Sequence, residues 1–352
     1  MKNQLAVYGS YGYTGKLIIE ECLKKQLPVI LSGRNEELLK QQSESTGLPY
    51  KTIDINSPQA LDELLMNAIV VIHCAGPFKF TSKQMVEACL RTSTHYTDIT
   101  GEYMVFEMLA SLDEQARKKN IMMLPGAGFD VVPSDCLALH LKEKLPNATH
   151  LQLAFASTGG GLSRGTARST LEGFGYGSMI RKDGQYRPIK TAGKTMLVNF
   201  GPFEKTAVCI PWGDIATAYR STGIPNIEVY IGVNTRIRRI LKITRYLNWL
   251  LRARWVKRLI KKQIDKRIHG PSQKHLLHSK SYMWGRAMDH EGREVISRLE
   301  TLNGYALTAK ASVHIAEKIL DGKSKAGYYT PASAFGSVLI KEITGIDFVD
   351  VQ

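Results

Sequence analysis

Three glycines spaced three apart, Gly9, Gly12 and Gly15, lie in the run Leu5–Ile19, which reads as an apolar strand, a turn and the start of a helix. Such a turn lets backbone approach a diphosphate, and the N–H groups that open the helix favour its negative charge. Gly9, Ser10, Tyr11, Gly12, Tyr13, Thr14 and Gly15 are therefore expected to cradle a dinucleotide. A purely structural turn is the other reading, because glycines three apart are a weak signal when they stand alone. The run Leu31–Asn35 bears on which dinucleotide. An NAD site places an acid there for the ribose 2′-hydroxyl, and this chain has none but carries Arg34. A guanidinium pairs with a 2′-phosphate, so NADP is expected ahead of NAD. The rival reading of Arg34 is a solvated surface arginine. Asp54 is expected to border the adenine or to cap the next turn.

Further along, Ala75, Gly76 and Pro77 follow the most apolar strand. They are small enough, or rigid enough, to let backbone pass close to a cofactor ribose. His73 and Cys74 alternate across that strand and point to opposite faces, so no metal site is expected. His95–Glu102 is dense in proton-transfer groups. Asp98 and Glu102 are its candidates for contacting ribose or substrate, and Asp130, after the next strand, is the third catalytic candidate. His95 and Tyr96 begin their strand and suit core or interface roles equally well. Ser134 and Asp135 fit the first turn of a helix that has Pro133 near its start. The single Tyr-x-x-x-Lys spacing, Tyr186 to Lys190, contains Pro188 and follows Gly184, so it does not read as a helix or as a catalytic pair.

These residues need a scaffold. Apolar runs at Leu5–Tyr8, Val29–Ser32, Tyr50–Ile53, Ile69–Cys74, His95–Ile99 and Ile121–Leu124 alternate with helical stretches at 16–25, 36–45 and 106–118. That alternation predicts an α/β fold, a Rossmann-type doubly wound parallel sheet, over residues 1–135. From His150 the pattern changes to longer strands, Leu151–Ala156, Lys205–Ile210, Ile227–Val233 and Lys280–Met288, without regular helices between them. A second α+β domain with a largely antiparallel sheet is expected over 136–326. Residues 327–352, ending in a helix at about 332–344, are expected to return to the first domain. In the second domain, Gly159–Gly161 reads as a flap or a turn. Ser163, Arg164 and Arg168 open a helix, and the two arginines share a face, which suits an anionic substrate group or a solvated basic face. Trp212 and Asp214 are expected in a substrate wall at the domain junction.

The chain has 352 residues, 43% hydrophobic and 22% charged, as a globular protein would. Its five scattered cysteines argue against a disulfide framework and for a reducing compartment. No apolar leader follows Met1–Gln4, and no spanning helix is expected, so a cytoplasmic protein is anticipated, with peripheral attachment to a membrane left open. The net charge of +15 is uneven. Residues 236–268 hold thirteen Lys and Arg against one acid, Asp265, which leaves three charges for the rest. This helical, tryptophan-bearing stretch suits an anionic membrane surface. It equally suits an acidic acyl carrier protein bringing a lipid-linked substrate, or a surface helix pair that covers the sheet or forms a homodimer contact. No nucleic-acid module accompanies it, so nucleic acid is not expected as a partner.

Taken in order, the motifs Gly9–Gly15 (GSYGYTG), Ser32–Asn35 (SGRN), Cys74–Phe78 (CAGPF), His95–Glu102 (HYTDITGE) and Pro125–Asp135 (PGAGFDVVPSD) resemble the saccharopine dehydrogenase-like oxidoreductases. Ser163–Glu172, Pro211–Pro225 and Gly327–Gly336 continue the likeness. This broad family includes the trans-acting enoyl reductases. The resemblance implies an NAD(P)-binding Rossmann domain, an α+β second domain and hydride transfer to or from a carbonyl, imine or enoyl group, without naming saccharopine as substrate. A protein that binds the nucleotide without turnover, as a redox sensor or membrane scaffold, is the alternative of a different class.

Overall fold

The computed structural model describes residues 2–351 apart from Gly160 and His269. They form two compact units, one of residues 1–130 and 305–334, the other of 131–304 and 335–352.

The first unit is built on a parallel sheet. Strands β1 (Gln4–Tyr8), β2 (Val29–Gly33), β3 (Tyr50–Thr52), β4 (Ala68–His73), β5 (His95–Asp98) and β6 (Met122–Leu124) stand in the order β6-β5-β4-β1-β2-β3, and a short strand, Gly327–Tyr328, is added beside β6. Every pairing is parallel. The order reverses between β1 and β4, which opens a crevice beyond their carboxyl ends. The connecting helices are α1 (Tyr13–Lys24), α2 (Glu36–Thr46), α3 (Pro58–Leu65), α4 (Ser82–Thr92), α5 (Tyr103–Ala110) and α6 (Asp113–Lys118). Helix α2 shows the local logic. The Asn35 side chain accepts the Leu38 N–H, Glu36 and Glu37 occupy the first turn, and Gly47 closes the helix with a left-handed φ of 71°. Leu61, Leu64 and Leu65 of α3 and Met85, Val86 and Cys89 of α4 share a buried cluster with Val71 and Tyr96 of the sheet.

Two boundaries differ from expectation. Helix α1 begins at Tyr13, not near Lys16, because the glycine turn runs directly into it. The single helix expected over 106–118 is two, broken at Ser111–Leu112.

The second unit begins with α7 (Val132–Lys144) and carries a mixed sheet. Its strands are β7 (His150–Ser157), β8 (Ser178–Lys182), β9 (Gln185–Ile189), β10 (Thr195–Asn199), β11 (Glu204–Cys209), β12 (Asn226–Gly232), β13 (Lys280–Met288) and β14 (Glu294–Leu302). The order is β10-β11-β12-β7-β13-β14, ending on the short strand Val349–Asp350, with the β8–β9 hairpin attached to β12. Pairings are antiparallel except β7 with β12, which is parallel. Asp183 and Gly184, at φ of 51° and 75°, form the two-residue turn of the β8–β9 hairpin. Gly285 on β13 allows α7 to lie close, since a Cβ there would sit 2.6 Å from Leu141. The remaining helices are α8 (Arg164–Gly173), α9 (Asp214–Thr222), α10 (Thr235–Thr244), α11 (Asn248–Arg252), α12 (Arg254–Arg267) and α13 (Gln273–His278).

The end of the chain departs from the expected return of 327–352 to the first domain. Residues 305–334 belong with the first unit and 335–352 with the second. The expected final helix is broken at Gly336 (φ 84°) into Pro331–Phe335 and Leu339–Thr344. Beyond the break, Ser337 donates to Glu143 of α7, and Asp350 accepts from Ser297 of β14 and pairs with Lys144. The first boundary falls at Asp130 rather than at 135, where α7 begins to build the second unit.

Candidate active site

The glycine turn is closed by backbone. Gly9 N–H donates to the Ser32 carbonyl at 2.7 Å, and Gly12 N–H to the Gly9 carbonyl at 3.0 Å. Gly9 has a φ of 86° and lies against Ala75, whose nitrogen would be 3.1 Å from a Cβ. A Cβ on Gly15 would stand 2.3 Å from the Gly9 carbonyl oxygen, so no larger residue fits without moving the turn. Gly12 caps α1 with no side-chain hydrogen bond, and the first turn of α1 contains no acid. This is the arrangement a diphosphate requires: close backbone, helix-opening N–H groups and no competing carboxylate. Tyr13 and Thr14 occupy that first turn, with Tyr13 edge-on to Tyr305.

Two residues of the turn are spent on structure. The buried Ser10 hydroxyl donates to Gln42 Oε1 at 2.8 Å, while Gln42 Nε2 donates to the Ser10 carbonyl, so Ser10 ties the turn to α2. The Tyr11 phenol oxygen accepts the N–H groups of Arg34 and Asn35, each at 3.2 Å, and its ring lies where a Cβ of Gly33 would be, 2.5 Å away. Sequence reasoning missed Gln42 and Gly33. A glycine that ends a strand was the available signal for the second, and nothing local announced the first. Arg34 is exposed just beyond β2. Asp54 makes a turn: its carboxylate accepts the Asn56 backbone N–H at 2.9 Å and the Asn56 side chain at 3.1 Å. The turn-capping alternative expected for Asp54 is thus seen through its Oδ1.

After β4, Ala75, Gly76 and Pro77 stand next to the glycine turn at the crevice, with a cis peptide between Gly76 and Pro77. His73 points inward among Tyr8, Phe78 and Tyr96, and burial pushes its pKa down to about 3. Its Nε2 lies 2.9 Å from the Thr81 hydroxyl.

The three carboxylates separate into different roles. Asp98 is fully buried and accepts the Tyr96 hydroxyl at 2.6 Å and the N–H groups of Thr100 and Gly126 at 3.0 and 2.9 Å. Burial raises its pKa to about 6 against the pull of those bonds. It stitches the ends of β5 and β6 together, a structural task that its three hydrogen bonds account for. Glu102 accepts the N–H groups of Phe78 and Lys79 at 2.9 and 3.0 Å, holding the loop after Pro77. Asp130 is half-buried at the carboxyl end of β6 and titrates near neutrality: burial, then the neighbouring Glu102 charge, raises its pKa to about 7. Gly101 makes room for it, since a Cβ there would stand 2.8 Å from Asp130 Oδ2. The glycines and these two carboxylates thus share one edge of one sheet. Within the first unit the helix Gly304–Leu320 braces this edge, with Thr308 accepting the Phe129 N–H and Ser312 donating to the Ala127 carbonyl.

This nucleotide-binding geometry coincides with a family match over the same strands. Residues 5–124 match the profile described as saccharopine dehydrogenase NADP binding domain. NADP is therefore the cofactor the domain takes, and the acid-free start of α1 beside the closely packed Gly9 and Gly15 fits its diphosphate. In sequence, the chain is 29% identical over 204 residues to a rat saccharopine dehydrogenase-like oxidoreductase, covering 51% of this chain and 48% of that protein. The human protein of the same name is 30% identical over 203 residues, covering 51% and 47%. A trans-acting enoyl reductase of Mycobacterium leprae is 32% identical over 139 residues, covering 37% and 33%. The chain thus spans about half the length, or less, of the curated relatives it matches. In fold, apo saccharopine dehydrogenase (L-Glu forming) from Saccharomyces cerevisiae superposes with a TM-score of 0.71 at 12% identity, covering 99% of this chain and all of that one.

In the second unit the residues expected to hold substrate each have a partner within the chain. Ser163 caps α8, accepting the Thr166 N–H at 3.1 Å. Arg168 pairs with Asp265 of α12 at 2.6 Å, and Arg164 donates to the Ile268 carbonyl. The two arginines thus fasten the α12 segment to α8. Asp214 is fully buried and accepts the Ser134 hydroxyl at 2.6 Å, and Asp135 accepts Ser221, so this polar group joins α7 to α9. Trp212 packs on Phe155 with ring centroids 4.9 Å apart. Of the Gly159–Gly161 stretch, Gly160 lies outside the described residues. All five cysteines are unpaired. Among the described residues no helix is long and apolar enough to cross a membrane.

Proposed function

We propose that the chain is an NADP-dependent oxidoreductase that moves a hydride between the nicotinamide and a carbonyl, imine or activated alkene. The observation that carries this reading is the pairing, on one edge of an NADP-binding domain, of the glycine cradle with a carboxyl group poised near neutral pH. The dinucleotide supplies or accepts the hydride when bound. In the reductive direction the Asp130 carboxyl gives its proton to the carbonyl oxygen, to the imine nitrogen, or to the α-carbon of an enoyl group. In the oxidative direction the carboxylate takes that proton back. Glu102 keeps Asp130 protonated to higher pH and holds the Phe78–Lys79 loop. Half-burial of Asp130 limits exchange with bulk water. A lipid-linked form of such a substrate is included in the proposal, supported by the basic, apolar-faced stretch 236–268.

The test is NADPH oxidation, followed by its absorbance, against ketones, imines and enoyl thioesters. Turnover on one class and not the others supports the reading and names the substrate chemistry. NADPH binding without turnover on any class overturns it in favour of a nucleotide-binding protein that does not react.

A further inference from the structure

Segment 236–268 does not bury the apolar face that its sequence prepares. Helix α10 places Ile237, Ile240 and Ile243 on one side and Arg238, Arg239 and Lys242 on the other, yet none of its described residues is buried. Its Leu241 packs partly against a core cluster of Ala192, Val208 and Val233. Helix α12 is divided. Its Ile260 and Ile264 pack on Ala167 and Leu171 of α8, while Trp255 and Leu259, one turn apart on a different stripe, face outward. Trp249 of α11 is 72% exposed, Trp255 is 61% exposed and Ile243 is 62% exposed. Eight of the twenty exposed large apolar side chains among the described residues fall between positions 237 and 259. Scattered exposed apolar residues need no account, but such a concentration marks an interaction surface.

Charge identifies what the surface meets. The segment carries thirteen basic residues and one acid, and that acid, Asp265, is already held by Arg168. Arg252 and Lys257 are used locally, on the carbonyls of Gly175 and Glu172. Among the described residues no acid pairs with Arg236, Arg238, Arg239, Lys242, Lys261 or Lys262, so their positive field faces outward. Isolated cations around exposed tryptophan, tyrosine and isoleucine are the composition of a helix that lies in the headgroup plane of a bilayer. There the rings sit at the acyl boundary and the Lys and Arg side chains reach back to phosphate.

We propose that 236–268 seats the second unit on a bilayer surface rich in anionic phospholipid. This inference is independent of the oxidoreductase reading. An acidic carrier protein and a second copy of the chain are the competing occupants.

The whole chain is co-sedimented with phosphatidylcholine vesicles and with vesicles that also contain phosphatidylglycerol, while tryptophan emission is recorded. The expected result is binding to the anionic vesicles alone, with a blue-shifted emission, reversed by high salt. Lys261→Glu with Lys262→Glu, and separately Trp249→Ser with Trp255→Ser, should each weaken binding by about tenfold or more, the scale at which a few interfacial groups act. Circular dichroism of each variant checks that it is folded. The proposal is overturned by failure of the wild-type chain to bind anionic vesicles, or by tryptophan variants that bind unchanged. It is equally overturned by capture of an acidic acyl carrier protein without vesicle binding, or by a lipid-free dimer that the tryptophan variants dissociate.

Discussion

Asp130 carries the chemical part of the account, and its acidity is a property of place. Burial and the Glu102 charge both favour the protonated form, which moves the carboxyl from 3.8 to about 7. An acid whose folded pKa is raised contributes stability that is complete below the unfolded pKa and is lost as pH rises through the folded one. Asp130→Asn removes that loss. Denaturant melts should therefore show the variant gaining on the wild type between acid and neutral pH, by up to about 4 kcal/mol. Asp98, raised to about 6, keeps its own share of the pH dependence in both proteins. In turnover, the same substitution should lower kcat by about a hundredfold or more and remove the fall in reductive rate above neutrality. A variant with wild-type kcat and an unaltered pH profile would take Asp130 out of the mechanism. Asp98 is the contrast: the sequence offers it as readily as Asp130, but three hydrogen bonds to its own neighbourhood leave it holding β5 to β6.

At the scale of elements, the glycine turn makes the sharpest demand. A Cβ on Gly15 meets the Gly9 carbonyl at 2.3 Å, whereas one on Gly173, at the end of α8, meets nothing within 4 Å. Gly15→Ala should abolish the thermal stabilisation that NADPH gives and lower the melting temperature without ligand. Gly173→Ala should leave both intact. Equal responses from the two would mean that the turn is not built around close backbone contact. This element was legible because its signal is local: strand, glycines and helix follow within fifteen residues, and the alternation of apolar runs with helices points to the parallel α/β class. What could not be read depends on partners far away in the chain. Arg168 finds Asp265 nearly a hundred residues on, Ser10 finds Gln42 on α2, and Asp214 finds Ser134 eighty residues back. Each looked available for a ligand because its partner is invisible to spacing. The break at Gly336 is a similar case, since the residues around it form helix on either side and only the positive φ separates them.

For the whole molecule, sequence similarity and fold similarity cover different extents. The family match ends at residue 124, while the fold shared with saccharopine dehydrogenase extends over 99% of the chain. The first unit thus carries the NADP-binding match, and the second carries most of the charge, in 236–268. Everything proposed for the reaction depends on the first unit taking a phosphorylated dinucleotide. The direct measurement is a calorimetric titration of the purified chain with NADPH and, in parallel, with NADH. The account predicts saturable binding of NADPH and markedly weaker binding of NADH, because Arg34 stands where an NAD site would carry an acid. No saturable NADPH binding, or equal affinity for the two, would contradict it.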